Sequence, residues 1–200
     1  GRPVAVILLL GGLIFSGWSI YLSDRQLRSE LLTEMETASQ SISHIRIGAL
    51  SASAADVDNP DYQELKNRLL LVCRLKEKCR FVYLIGLKPN GNVFFYADSE
   101  PPGSSEMSPP GQLYHEASSL LQHVFAEGKA AVEGPAPDRW GVWVSGFLPI
   151  VDKERGKVVA VLGMDIDAAD WAWEIASRSA LAIGSMIVIS IVITSVFLSS

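Results

Sequence analysis

Histidine and cysteine are scarce in this chain of 200 residues: His44, His115 and His123, with Cys73 and Cys79. His115 and His123 are eight apart, not at the four-residue spacing that puts two ligands on one helix face. Two cysteines without companion histidines do not make a zinc site. Nothing here calls for a metal or a cofactor. A Gly-x-Ser-x-Gly elbow is missing, as is a phosphate-binding glycine loop, so no nucleophile–base pair can be named. The segment therefore reads as non-enzymatic. An internal repeat is also lacking.

Positive charge is in short supply. With Arg2 and Arg178 set aside, 15 of the 17 bases stand against all 22 acids, a net charge of −7. Phosphate binding needs a basic stripe, so nucleic acid is excluded as a partner. Flat adhesion to anionic lipid is excluded for the same reason.

Two apolar runs without a charge are present, residues 3–23 and 179–200. Roughly 20 helical residues at about 1.5 Å each cross a bilayer core. Each run reads as a membrane helix, and the 24–177 segment between them as one domain of ordinary size. Arg2 lies outside the first run, while Trp18, Tyr21, Trp171 and Trp173 lie at the domain ends of the two runs. These flanks place both termini in the cytoplasm and the domain outside. The expected location is a bacterial inner membrane, with any output module following Ser200.

From residue 24 to about 55 the pattern is helical. Leu31, Met35, Ala38, Ile42 and Ile45 recur at spacings of four and three, a heptad seam. It faces either the sheet of its own domain or the same helix of a second protomer, and a homodimer is expected through it. The segment 56–60 breaks this helix and caps the next, with Asn59 or Asp58 before Pro60. A second helix follows over 61–78. Residues 80–87 and 92–98 read as a hairpin turned at Asn90-Gly91. A proline- and glycine-rich loop fills 99–111, longer than a plain connector. A helix over 112–127 is closed by Gly128. Strands follow at 130–133, 140–150 and 157–167. Short connections make the sheet antiparallel, so the fold class is α+β. Cys73 and Cys79 sit where a helix end meets a strand, as a disulfide or as two buried thiols.

Several segments resemble one protein group: Asp98-Ser99-Glu100-Pro101-Pro102-Gly103-Ser104, Ser108-Pro109-Pro110-Gly111-Gln112, Asp138-Arg139-Trp140-Gly141, Trp143-Val144-Ser145, and residues 161–167. The group is the extracytoplasmic PAS-like, or Cache, sensor domains of bacterial membrane receptors, and the likeness covers roughly residues 62–171. It implies a long N-terminal helix, a five-stranded antiparallel sheet, a small-molecule pocket on one sheet face, and a cytoplasmic output such as a histidine kinase or diguanylate cyclase. It does not imply a ligand.

Alternation along strands nominates the site. Asp165 interrupts an apolar strand and needs a partner: Arg139, a ligand amine, or amides of the proline loop. Trp143, Ser145 and Phe147 share one face of their strand; Phe94, Tyr96 and Asp98 are expected to share one face of theirs. The candidate ligand-binding residues are Tyr96, Asp98, Tyr114, Arg139, Trp140, Trp143, Ser145 and Asp165, an aromatic-walled cavity with a few polar groups. Tyr114 reads equally as a packing residue, and Arg139 with Trp140 either pins an anionic ligand or simply stacks and pairs with an acid. The expectation is a small-molecule sensor, with a ligand-free dimerisation module as the alternative.

Overall fold

The computed structural model describes residues 2–42, 47–152 and 154–198. The chain divides into two compact units, Glu30–Ala168, and Gly1–Ser29 with Ala169–Ser200.

The larger unit is built on a five-stranded antiparallel sheet. Its strands are β1 (Cys79–Leu87), β2 (Val93–Asp98), β3 (Ala131–Pro137), β4 (Val142–Asp152) and β5 (Lys157–Asp167), in the order β2-β1-β5-β4-β3. The first and last strands are thus central neighbours. Register fixes the two faces. Phe81, Asp165 and Ser145 lie in one row across β1, β5 and β4, and Tyr83, Gly163 and Phe147 in another. The alternate residues Val82, Leu84, Leu162, Met164 and Val144 are buried on the opposite face.

The helix α1 (Arg2–Ile42) lays Leu31 and Met35 over Gly146 of β4, where a side chain would collide with both. Leu31, Met35 and Ile42 are buried and Ala38 partly so. Of the two faces expected for the seam, the sheet of its own domain takes these residues; Ile45 lies outside the described residues, as does His44. The helical run expected to reach residue 55 stops earlier. Asp56 accepts hydrogen bonds from the Ser51 and Ala52 amides and the Ser51 hydroxyl, at 2.7–2.9 Å. That side chain offers the backbone an alternative to the helix.

Capping fixes the next two helices. Asn59 accepts from the Asp61 amide and Pro60 opens α2 (Pro60–Arg74), which packs on β1 and β2. Ser118 caps α3 (Ser119–Glu127), and Gly128 ends it in the left-handed conformation, at φ +64°. The expected start of α3 at residue 112 is displaced because residues 111–114 bond along the outer edge of β2 instead: Gly111 N–H to Phe95 O, Phe95 N–H to Gln112 O, Tyr114 N–H to Val93 O. This edge is thereby covered.

The β1–β2 turn is Lys88-Pro89-Asn90-Gly91, with Gly91 N–H bonded to Lys88 O and Gly91 at φ +84°. Pro89 and Asn90 are the central pair and Gly91 the residue after them, one position away from the expected Asn90-Gly91 centre. β3 extends four residues beyond its expected end at Glu133.

The smaller unit pairs the start of α1 with α4 (Ala168–Leu198). Ser23 and Ser179 share a hydrogen bond of 3.1 Å, and the Trp171 indole donates to Asp24 at 2.8 Å. Among the described residues, one helix, Ala168–Val196, is long and apolar enough to cross a membrane.

Candidate functional site

A cavity opens on the sheet face that carries Asp165. Its walls are Phe81 and Tyr83 from β1, Phe95 and Asp98 from β2, Glu106 and Ser108 from the proline loop, Tyr114 after it, Asp138 and Trp140 before β4, and Asp165 from β5. The free volume is about 20 Å³, room for roughly one water and far below the ~300 Å³ at which small-molecule sites begin.

Aromatic rings interlock around it. Phe95 is edge-on to Tyr83 at 5.6 Å and to Trp140 at 6.1 Å, and Tyr114 leans on Phe95 at 5.3 Å. A β-bulge decides which polar groups join them. Tyr83 pairs with Asp98 and Leu84 with Ala97, but Ile85 pairs with Phe95, so Tyr96 is the extra residue. The alternation therefore reverses at Tyr96. Asp98 shares the face of Phe95, while Phe94 and Tyr96 lie together over Gly86 on the opposite face, 4.8 Å apart. The expected grouping of Phe94, Tyr96 and Asp98 is corrected accordingly, and Tyr96 is outside the cavity.

Asp165 is buried and bonded to neutral groups. The Tyr83 hydroxyl donates to it at 3.0 Å, and the Ser145 hydroxyl from the adjacent strand also bonds it. Burial pushes its carboxyl up to about 7; those two hydrogen bonds pull it down in part, and the charges of Asp138 and Glu133 raise it further. Burial, with the charge of Asp165, holds the phenols of Tyr83 and Tyr114 above their ordinary range, so both stay protonated.

Arg139 is not the partner of Asp165. Its guanidinium forks onto Glu116, with both contacts at 2.6–2.7 Å, and stacks over Trp140 at 4.8 Å. Trp143 stands behind the wall, edge-on to Phe81 at 5.3 Å, its indole donating to Asp138. Asp138 also accepts from the Trp140 and Gly141 amides.

Of the residues nominated from sequence, Asp98, Tyr114, Trp140 and Asp165 line the cavity, Ser145 and Trp143 support it, and Tyr96 and Arg139 lie elsewhere. Phe81, Tyr83, Phe95, Ser108, Glu106 and Asp138 were not nominated. Alternation along β1, carried outward from Asp165 by antiparallel pairing, would have found Phe81 and Tyr83.

The proline loop is pinned at both ends by Asp98. Lys66 of α2 donates to one carboxylate oxygen, with the Glu100 amide; the Ser108 amide donates to the other at 2.5 Å. Both members of the Lys66–Asp98 pair are buried. Arg80 reaches Glu100 at 2.7 Å and also binds Glu106. Partial burial raises the Glu100 carboxyl, but hydrogen bonds from Ser104 and Arg80 bring it below its ordinary value. Among the described residues, four carboxyl groups thus face one small cavity without a basic side chain in its wall. Asp98 and Glu106 have cations behind them, whereas Asp138 and Asp165 have neutral donors.

The fold has solved counterparts. The ligand-binding domain of the Campylobacter jejuni chemoreceptor Tlp3 in complex with L-valine aligns with a TM-score of 0.53 at 16% identity, over 86% of this chain and 66% of that one. The Tlp3 sensory domain with isoleucine bound aligns with a TM-score of 0.53 at 17% identity, over the same shares. An extracellular ligand binding receptor from Desulfohalobium retbaense DSM5692 aligns with a TM-score of 0.54 at 8% identity, over 80% of this chain and 26% of that one. The chain therefore has the fold of receptor sensory domains. It spans about two thirds of the Tlp3 chains. No family description and no curated protein matches it.

Proposed function

We propose that this chain is the extracytoplasmic ligand-sensing part of a bacterial membrane receptor, and that its ligand is a small molecule bearing an ammonium group. One observation carries the reading: Asp165 is a buried carboxyl group held by hydroxyls, with no cation beside it among the described residues, at the wall of an aromatic-lined cavity. An amine seated there supplies the missing positive charge. The solved counterparts bound to valine and isoleucine support amino acids as the first class to try. At about 20 Å³ the cavity is too small for an amino acid, so binding requires it to widen, and the 99–111 loop, which supplies Glu106 and Ser108 to its wall, is the element proposed to move. The ligand then shifts the loop's equilibrium by its differential affinity for the two states.

The proposed layout has spans at 3–23 and 179–200 around a sensor domain at 24–177, in the inner membrane with the domain periplasmic. Exposed apolar residues along the start of α1, among them Ile7, Leu13, Ile14 and Trp18, support the first span. The output is proposed as a histidine kinase or diguanylate cyclase; the Tlp3 likeness favours a chemotaxis output as a second reading. The small cavity favours one alternative for the domain itself, a dimerisation or packing module that takes no ligand.

The test is calorimetry and thermal unfolding of the full chain in nanodiscs against L-amino acids, primary amines and the matching carboxylic acids. Sensing predicts a hit among amines that raises Tm by several degrees at one hundred times Kd and is lost in Asp165→Asn. A blank across all amines removes the reading and leaves the packing module.

A further inference from the structure

Cys73 lies in the last turn of α2 and Cys79 opens β1. Their Sγ atoms lie 2.7 Å apart, both as free thiols, and Cys73 Sγ also sits 3.4 Å from Cys79 O. The turn between them is tied by the Lys76 amide to Cys73 O and the Cys79 amide to Lys76 O, each at 3.1 Å. This turn faces the two side chains toward each other, the condition a disulfide needs. They are the chain's two cysteines, so pairing has one outcome, and both are partly exposed.

Their position gives the pair a consequence. Arg80 follows Cys79 and grips Glu100 and Glu106 of the proline loop. The Val82 amide donates to Ser99 at the root of the same loop.

We propose that Cys73 and Cys79 are a dithiol–disulfide pair, oxidised by a small disulfide, that braces the root of the 99–111 loop. The Cys73 thiolate attacks one sulfur of the oxidant and expels a thiolate, giving a mixed disulfide. Cys79 then loses its proton and its sulfur attacks the Cys73 sulfur, releasing the second thiolate. Two protein thiols are oxidised and one small disulfide becomes two thiols. The order follows from the hydrogen bond of Cys79 to Cys73 and the nearby charge of Arg80, which make Cys73 the more acidic thiol.

The test uses the full chain in nanodiscs, equilibrated with oxidised glutathione or with dithiothreitol, then alkylated under denaturing conditions and weighed. The expected result is no alkylation and a loss of two hydrogens after oxidation, against two alkyl groups after reduction. Oxidation is expected to raise Tm by roughly 5 °C and to slow Glu-specific cleavage after Glu106 at least threefold, both effects vanishing in Cys73→Ser and Cys79→Ser. Two free thiols or two glutathione adducts under excess oxidised glutathione overturn the pairing. A disulfide that leaves cleavage unchanged overturns the bracing.

Discussion

The Tyr83 hydroxyl donates to Asp165 from the neighbouring central strand, and the ring reaches across Gly163 to do so. A carboxylate that would otherwise be stranded in the core is held by a phenol from one side and the Ser145 hydroxyl from the other.

This arrangement makes stability depend on pH in a defined direction. The Asp165 carboxyl is raised from 3.8 to about 7, so between those values the folded chain keeps a proton that the unfolded chain has released. Its contribution is complete below about pH 4 and lost as pH rises through 7. The difference in unfolding free energy between the natural chain and Asp165→Asn should shift toward the variant by at most about 4 kcal/mol between pH 4 and 8. Urea titrations of both at a series of pH values measure it. A constant difference refutes the raised carboxyl.

The same proton opposes a cationic ligand. Below pH 7 an amine must displace it, so the Kd of any amine found by calorimetry should weaken toward tenfold per pH unit as pH falls. A Kd unchanged from pH 8 to 5.5 would mean that the ammonium does not meet Asp165.

Gly163→Ala should be costly. The added methyl meets the Tyr83 ring, and the sheet offers the ring no slack because β1 and β5 are adjacent. Overpacking of this kind costs about 1–3 kcal/mol. Denaturant midpoints measure the loss, and in a Tyr83→Ala background, itself less stable, the added cost of Gly163→Ala should be smaller.

Asp98→Ala should both destabilise and loosen. It leaves Lys66 buried without its counter-charge, a loss of roughly 3–5 kcal/mol, and it frees the Glu100 and Ser108 amides that hold the loop. Faster proteolysis within 99–111 and a lower Tm are expected together. Adding Lys66→Met should restore much of the Tm but not the protection of the loop. If it restores both, the amide anchors carry no weight.

Much of the fold was legible because its signals are local. Asn59-Pro60, the Gly128 stop and the limits of β5 each follow from a residue's own conformational preference. The site was legible only in part because its membership is set by long-range register. Alternation assigned Ser145 and Asp165 correctly, since β4 and β5 pair without a break there. It failed for Tyr96 because the bulge depends on the partner strand, which no local pattern reports. Arg139 kept two readings for a related reason: an arginine beside a tryptophan suits a carboxylate, and the structure shows the pairing with an acid, but that the acid is Glu116, 23 residues earlier, no local pattern reports.

The central position of β1 and β5 also governs how the domain comes into being. Tyr83 and Asp165 are 82 residues apart, so the middle of the sheet cannot zip until nearly all of the domain has left the ribosome. The hairpins β1–β2 and β3–β4 pair near neighbours in sequence, and only the last strand joins them into one sheet. High contact order of this kind slows folding, and a chain cut short before residue 157 holds two half-sheets with no seam to unite them.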